Sequence, residues 1–303
     1  MRKIFISTTS FGVYDRSCLN ILSDKGFEVQ LNPHGRKLAG EEIVELCRDA
    51  IGIVAGTESL DEAVLKQLTV LKVISRCGTG MDNVDLKATE RLGIKVVNTP
   101  DAPTLAVAEL AVGLIISLLR KVCRMDAAVR RGEWKKMMGN QLSGKTVGII
   151  GFGRIGRKTA ELLALLGCKI IFYDVAVDAA PEGFEMVSLQ ELLGRSDIVT
   201  FHVSSKSKIV GAEEIKLMKQ GAWIINLSRG GVVDENALYL ALKEGRLSGA
   251  ALDVFEQEPY TGPFKDLDNV IITPHIGSYA KESRIAMELQ SVENLLKGLE
   301  AHK

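Results

Sequence analysis

Residues 145–156 read Lys-Thr-Val-Gly-Ile-Ile-Gly-Phe-Gly-Arg-Ile-Gly, and little freedom remains in how such a stretch can fold. An apolar strand pattern, Thr146 to Ile150, ends directly at Gly151, Gly153 and Gly156, and a helical pattern follows. A second apolar run, Lys169 to Tyr173, closes on Asp174. An ordinary βαβ unit with a glycine-rich turn is the simpler reading, but strand, spaced glycines, helix, strand and acid together argue against it. In this order Gly151 allows a tight turn, Gly153 lets the backbone approach a pyrophosphate, and Gly156 lets the helix lie close on its strand. The pyrophosphate would sit over the free N–H groups and positive dipole end of a helix starting near Arg154. Asp174 is placed to accept hydrogen bonds from an adenosine ribose diol. Val175 follows it, with no Arg or Lys nearby to receive a 2′-phosphate, so NAD is expected rather than NADP.

At 303 residues the chain exceeds the size at which one hydrophobic core stops growing, which predicts two domains. Apolar content of 46% and charged content of 25% fit a soluble globular protein. Equal numbers of basic and acidic residues, 38 of each, create no general field for nucleic acid or an anionic membrane, and neither partner is expected. The N-terminus begins a strand at once with no signal-peptide core, so a cytoplasmic protein is expected. The most lipid-like run, 105–119, is too short to span a bilayer and holds Glu109, Gly113 and Ser117. It predicts a helix buried against another domain or subunit. The five cysteines are scattered and lack a CxxC pair, which predicts reduced thiols, no disulfide framework and no metal site. Among them Cys77 reads as a small buried filler.

Short apolar strand patterns alternate with helical ones throughout, the signature of α/β architecture with parallel sheets covered on both faces. Strands are expected near 3–7, 27–31, 52–55, 71–75 and 95–98, with helices near 16–25, 40–49, 61–68 and 85–92. Pro100 and Pro103 then break the pattern before a long apolar helix from about Thr104. Later strands are expected at 146–150, 169–173, 198–201, 222–226, 249–251 and 270–273, and a last amphipathic helix at 281–299. The nucleotide unit is therefore internal. The chain reads as two doubly wound parallel-sheet domains: a Rossmann NAD-binding domain (100–278) inserted into a flavodoxin-like substrate domain (1–99 plus 279–303). Two chain crossings would make a hinged cleft suited to a substrate.

Only four histidines are available for acid–base work. His302 falls at the terminus, His34 in a surface loop, and His202 reads as a hydrogen-bonded structural residue after the strand at 198–201. His275 differs, because Thr273-Pro274-His275-Ile276-Gly277 sets it at the C-terminal end of a strand, where ligands gather in open α/β sheets. Two more apolar strands reach the same edge. One delivers Arg229 to a glycine turn, Asn226-Leu227-Ser228-Arg229-Gly230-Gly231; the other delivers Asp253 and then Glu258. Each charge alone reads as a solvated loop residue, but Arg, Glu and His converging beside a nicotinamide are a reactive set.

These segments, with Gly151 to Gly156, Leu252-Asp253-Val254-Phe255 and Glu258-Pro259, make the chain resemble the D-isomer-specific 2-hydroxyacid dehydrogenase family over essentially its whole length. Within that family, Arg76-Cys77-Gly78-Thr79-Gly80-Met81-Asp82-Asn83-Val84-Asp85 and the segment 132–139 look most like the D-3-phosphoglycerate dehydrogenases. The resemblance implies that Arg229 holds the substrate's carboxylate and 2-oxygen, His275 is the acid/base, and Glu258 orients the histidine and raises its pKa. It implies a carboxylate-binding loop at Gly78, Thr79 and Gly80, with Arg76 beside it. For the cofactor it implies Arg154 and Ile155 at the pyrophosphate and Asp174 at the ribose, with Asp253 near the carboxamide and Thr79, Val203, Ser228 and Gly277 as further contacts. The expected activity is oxidation of D-3-phosphoglycerate, or its reverse, by a homodimer joined through the NAD-binding domain and possibly paired into a tetramer.

The chain departs from that pattern in three places. The segment Val203-Ser204-Ser205-Lys206 lacks the proline often found after His202, and the turn Val54-Ala55-Gly56-Thr57-Glu58 lacks the phosphate-binding arginine. Arg36, Lys37 and Arg76, or Lys135 and Lys136 of a second subunit, are the basic residues that could serve instead. The chain also stops after one helix, so the serine-sensing domain of longer phosphoglycerate enzymes is not expected. Two alternatives stay open: a glyoxylate, hydroxypyruvate or other anionic hydroxy acid as substrate, and an NAD(H)-sensing scaffold of the corepressor type. A formate dehydrogenase is disfavoured by Glu258, since that reaction avoids a carboxylate there.

Overall fold

The structure, a computed structural model, describes residues 2–301, so His302 lies outside the described residues. The chain divides into two compact units, Met1–Pro103 with Ser278–Lys303 and Thr104–Gly277. In the first, β1 (Arg2–Ile6), α1 (Ser17–Asp24), β2 (Phe27–Leu31), α2 (Gly40–Cys47), β3 (Ala50–Ala55), α3 (Glu62–Leu65), β4 (Val73–Arg76), α4 (Leu86–Arg91) and β5 (Lys95–Asn98) follow in turn. All five strands are parallel, in the order β2-β1-β3-β4-β5, the flavodoxin-like arrangement. Strands covered on both faces read as continuous apolar runs. Phe5 and Ile53 pack into one layer, and Ile4, Ile6 and Val54 into the other, following the two-residue alternation of a strand. Helix α3 is shorter than the expected 61–68. Asp61 caps its start, but Gln67 and Leu68 donate to carbonyls three residues back, which tightens and ends the last turn.

The second unit opens with α5 (Thr104–Leu119) and α6 (Val122–Arg130), then β6 (Thr146–Ile150), α7 (Arg154–Leu165), β7 (Lys169–Tyr173) and β8 (Glu185–Met186). It continues through α8 (Leu189–Arg195), β9 (Ile198–Phe201), α9 (Ala212–Leu217), β10 (Trp223–Asn226), α10 (Glu235–Lys243), β11 (Gly249–Leu252) and β12 (Val270–Ile272). The strand order β8-β7-β6-β9-β10-β11-β12 is the Rossmann order with one strand added at the far edge. One core layer holds Ile150, Val199, Ile224 and Leu252, and the other holds Val147, Ile149, Phe172, Ile225 and Ala251. Helix α5 departs from expectation in what it covers. Its buried residues, among them Val107, Ala111, Ile115 and Leu119, pack on α7 and the sheet of the same unit, while Leu105 and Ile116 stay exposed. A helix so apolar was bound to be buried, but its partner is the nearest sheet. Helix α11 (Lys281–Glu300) packs against β3, β4 and β5 of the first unit. Among the described residues no helix is long and apolar enough to cross a membrane.

The α7–β6 contact depends on one absent atom. A Cβ on Gly156 would lie 2.0 Å from the carbonyl oxygen of Gly151, and a backbone atom cannot swing aside as a side chain can. Gly156→Ala should therefore cost about 1–3 kcal/mol, the usual range for overpacking. Thermal melting should show a lowered midpoint; an unchanged midpoint would mean that helix and strand are not held this closely.

Candidate active site

The glycine turn is anchored from below and open above. Phe152 is fully buried and stacks on Phe172. Its N–H donates to Asp174 Oδ2 at 2.5 Å, and Ala176 N–H donates to Oδ1 at 2.7 Å. Asp174 thus ends β7 as a partly exposed carboxylate tied to the turn. Gly151 has φ +93°, and a Cβ there would meet the His202 carbonyl and the Val203 side chain at 2.7 and 2.9 Å. Val203 accordingly sits against the turn at the end of β9. A Cβ on Gly153, by contrast, would meet nothing within 4 Å. Gly153 is the N-cap of α7 with no side chain capping the first turn, where Arg154 is exposed and Ile155 half-buried. An uncapped helix start with open space over its glycine suits a pyrophosphate. His202, expected as a structural residue, follows β9. Thr200 Oγ1 lies 3.0 Å from its Nε2, and burial pushes its pKa down to about 4, which keeps it neutral.

The reactive set lies on the neighbouring strand ends. His275 Nδ1 is 2.9 Å from Glu258 Oε2, while Phe255 N–H donates to Glu258 Oε1 at 3.2 Å. The imidazole pKa is raised, first by the Glu258 hydrogen bond and then by its charge. Burial and the positive charge of Arg229 oppose the rise. Arg229, half-buried, donates from Nη1 to the Ser228 carbonyl at 2.8 Å, and its turn is shaped by Asn226. The Asn226 amide donates to the Arg229 carbonyl at 2.9 Å and accepts from Ser228 N–H and Oγ at 3.0 and 2.9 Å. Ser228, expected at the cofactor, is buried with its hydroxyl committed to Asn226.

Asp253, which the resemblance sets near the nicotinamide carboxamide, is tied into the turn after β12. It has no exposed surface, and its carboxylate accepts from Thr273 Oγ1 at 2.5 Å and from Ile276 and Gly277 N–H at 2.8 Å each. Burial raises its pKa and these donors oppose that rise. It braces the turn that presents His275, and Gly277 is one of its buried donors. The roles of Asn226 and Thr273 were not read from the sequence. A buried asparagine closing an otherwise apolar strand was the available signal for Asn226.

The first unit carries the other expected residues at the end of β4. Gly78 has φ +149° and its N–H donates to Thr99 Oγ1 at 2.8 Å, while Thr79 is exposed and its carbonyl accepts from Asn98 Nδ2 at 2.7 Å. Gly80 is half-buried. Arg76 packs under Gly78, bonded to the Cys77 carbonyl and, at 3.4 Å, to Asn83 Oδ1. Asn83, another residue without an assigned role, donates to the carbonyls of Gly56 and Glu58 at 3.2 and 2.6 Å. Cys77 is buried and its thiol pushed up by burial, as a packing residue would be.

Residues 112–277 match the model of the D-isomer specific 2-hydroxyacid dehydrogenase, NAD binding domain. Over 275 residues the chain is 42% identical to a D-3-phosphoglycerate dehydrogenase of Methanocaldococcus jannaschii, covering 86% of this chain and 52% of that protein. It is 40% identical to a glyoxylate reductase of Thermococcus litoralis, covering 90% of this chain and 88% of the relative. The crystal structure of a glyoxylate reductase from Paecilomyes thermophila superposes with a TM-score of 0.88 at 30% identity, covering 100% of this chain and 96% of that one. The chain therefore belongs to the D-isomer specific 2-hydroxyacid dehydrogenase family, and its dinucleotide is NAD. It spans about half the length of the phosphoglycerate dehydrogenases it matches.

Gly230 joins the two sides of the site. A Cβ there would fall 1.9 Å from the Phe255 carbonyl oxygen, in the loop that carries Glu258. Gly230→Ala should push the Arg229 turn off that loop and lower turnover of a 2-oxo acid by about 10²-fold, the scale of a small misplacement at a reacting centre. NADH binding, followed by fluorescence titration, should persist. Full turnover in this variant would show that the contact is not needed.

Proposed function

We propose that the protein is an NAD-dependent D-2-hydroxyacid dehydrogenase, interconverting a small anionic D-2-hydroxy acid and its 2-oxo acid. The carrying observation is the bond between His275 Nδ1 and Glu258 at 2.9 Å, on the strand edge that also bears Arg229. When bound, NAD would take the hydride from the substrate's C2, and NADH would return it. With Nδ1 held by Glu258, His275 keeps Nε2 for the 2-hydroxyl proton, which it takes in oxidation and returns in reduction. Arg229 grips the carboxylate and 2-oxygen with a planar fork of donors and stabilises charge developing on that oxygen. In the first unit, the Gly78–Thr79–Gly80 backbone, with Arg76 beneath it, is the proposed carboxylate loop. Arg154, Ile155, Asp174 and Val203 are the proposed NAD contacts.

The proposed acid is D-3-phosphoglycerate, a step toward serine biosynthesis, supported by the relative at 42% identity and by the pattern of residues 76–85. One observation favours a second reading, glyoxylate or hydroxypyruvate. Arg36, the candidate phosphate anchor, is exposed and holds Glu42 through two bonds of 2.9 and 2.7 Å. That contact, and the Ala39 N–H, keep the Glu42 carboxyl down at about 2. An arginine already paired with a carboxylate is poorly placed for a phosphate. We further propose a cytoplasmic homodimer joined through the NAD-binding unit, whose Trp134 and Met138 are 86% and 88% exposed. Sedimentation at micromolar concentration would test it.

Steady-state rates across D-3-phosphoglycerate, glyoxylate and hydroxypyruvate decide between the acids, and inactivity on all of them would reject the dehydrogenase reading. His275→Ala should lower turnover by about 10²–10⁴-fold while NADH still binds, the usual contribution of a proton-transfer group. Near-normal turnover would defeat the assignment.

The pH dependence has a definite sign. His275 has a raised pKa, so its imidazolium persists above the usual value. Oxidation needs neutral imidazole and should rise with pH through that raised value, whereas reduction should fall through it. Glu258→Gln removes the chief cause of the rise, so both limbs should move to lower pH in kcat/KM profiles. Unmoved limbs would mean that another group titrates.

A further inference from the structure

Helix α11 carries an ion pair that the proposed chemistry does not use. Arg284 and Glu288, one turn apart, are only 7% and 2% exposed, and Arg284 Nη2 lies 3.2 Å from Glu288 Oε1. Buried pairs are weak devices for stability, since apolar residues of similar volume often do as well. This pair does not even satisfy itself: among the described residues the buried Nε of Arg284 has no hydrogen-bond partner. What it does satisfy is a loop. Glu288 Oε2 accepts from Gly12 N–H at 2.9 Å, and Arg284 Nη2 donates to Ser10 Oγ at 3.1 Å.

Ser10 and Gly12 belong to residues 8–16, which leave the carboxyl end of β1 without forming helix or strand. Backbone of this kind has few ladder bonds to hold it, so side-chain contacts decide its order. The same helix reaches the ends of two more strands. Ser75 Oγ in β4 donates to the Ser291 carbonyl at 2.7 Å, and Asn294 Nδ2 donates to the Asn98 carbonyl at the end of β5 at 2.9 Å. Cys77, which begins the Gly78–Gly80 loop, belongs to the same buried apolar cluster as Phe11 of residues 8–16 and Met287 of α11. One face of α11 therefore sets the carboxyl edge of this sheet, the edge where open α/β sheets take their ligands.

We propose that the Arg284–Glu288 pair is a positioning element that fixes residues 8–16 beside the carboxylate loop and so sets affinity for the 2-hydroxy acid, with no part in proton or hydride transfer. The effect on the acid rests on the dehydrogenase reading; the ordering of the loop does not.

The test is the double variant Arg284→Met with Glu288→Leu, which removes both charges and leaves neither unpaired. Thermal midpoint and NADH affinity should stay as in the parent protein. Hydrogen exchange over residues 8–16 should quicken. KM for the acid should rise about tenfold with kcat within about twofold, the split expected when ground-state binding alone is lost. Unchanged exchange over 8–16, or a fallen kcat with unchanged KM, would overturn the proposal. Should the double variant not fold, Ser10→Ala decides, since it deletes only the hydroxyl that Arg284 holds. Faster exchange and a KM raised about threefold support the proposal, and no change in either overturns it. A parent protein inactive on every acid would sink the dehydrogenase reading, while the exchange comparison would still decide whether the pair orders the loop.

Discussion

A buried carboxylate holds the reactive edge in place. Asp253 ends β11 with no exposed surface, a costly position for a charge, and three donors offset that cost: the Thr273 hydroxyl and the Ile276 and Gly277 amides. Those donors bracket His275 on both sides. The histidine backbone sits at φ +54°, a left-handed region that non-glycine residues seldom enter unless their surroundings dictate it. The bracketing bonds are what dictate it. Register supplies the rest, because Leu252 pairs with Ile272 on one side and Asn226 on the other, so the turns after all three strands emerge together.

From that anchor the site can be followed through adjacent contacts. Asn226 fixes the Arg229 turn, Gly230 brings that turn against the Phe255 peptide, Phe255 N–H holds one oxygen of Glu258, and the other oxygen holds His275. Nearly every link uses a backbone group. This explains how Glu258 and His275 can be well placed while exposed, with side chains 38% and 53% accessible. At such exposure an ion pair adds little to stability. Its value lies in fixing which imidazole nitrogen faces Glu258, and so which one would be left for the proposed proton transfer.

What the sequence disclosed follows from the range of the forces involved. The glycine turn, both parallel sheets and the strand-end positions of Arg229, Glu258 and His275 are local patterns of period, size and placement, and all could be read directly. Strand β8 could not, since its two residues are both exposed and it exists only through pairing with Ile171 and Phe172. Nor could α6, which buries Ala128 alone and starts at Lys121 with φ +55° and no capping side chain. The tasks of Asp253 and Asn83 were hidden for another reason. Their partners lie some 20 to 27 residues away, and only the completed sheets bring them close.

The two sheets also explain which of them takes the dinucleotide. Each is doubly wound, so each has a crevice where the strand order reverses, and by topology alone either could bind a nucleotide. In the first unit the reversal lies between β1 and β3. There the Glu58 carboxylate, only 2% exposed, accepts from the Ser7 hydroxyl and from Gly56 N–H at 3.0 Å, while Asn83 ties the same turn from outside. That crevice is filled by the protein's own anion. In the second unit the reversal lies between β6 and β9, where Gly151 is pressed against the His202 carbonyl, Gly153 faces open space and α7 begins uncapped. A pyrophosphate would meet a carboxylate in one crevice and amide N–H groups in the other. Electrostatics therefore settles what topology leaves open.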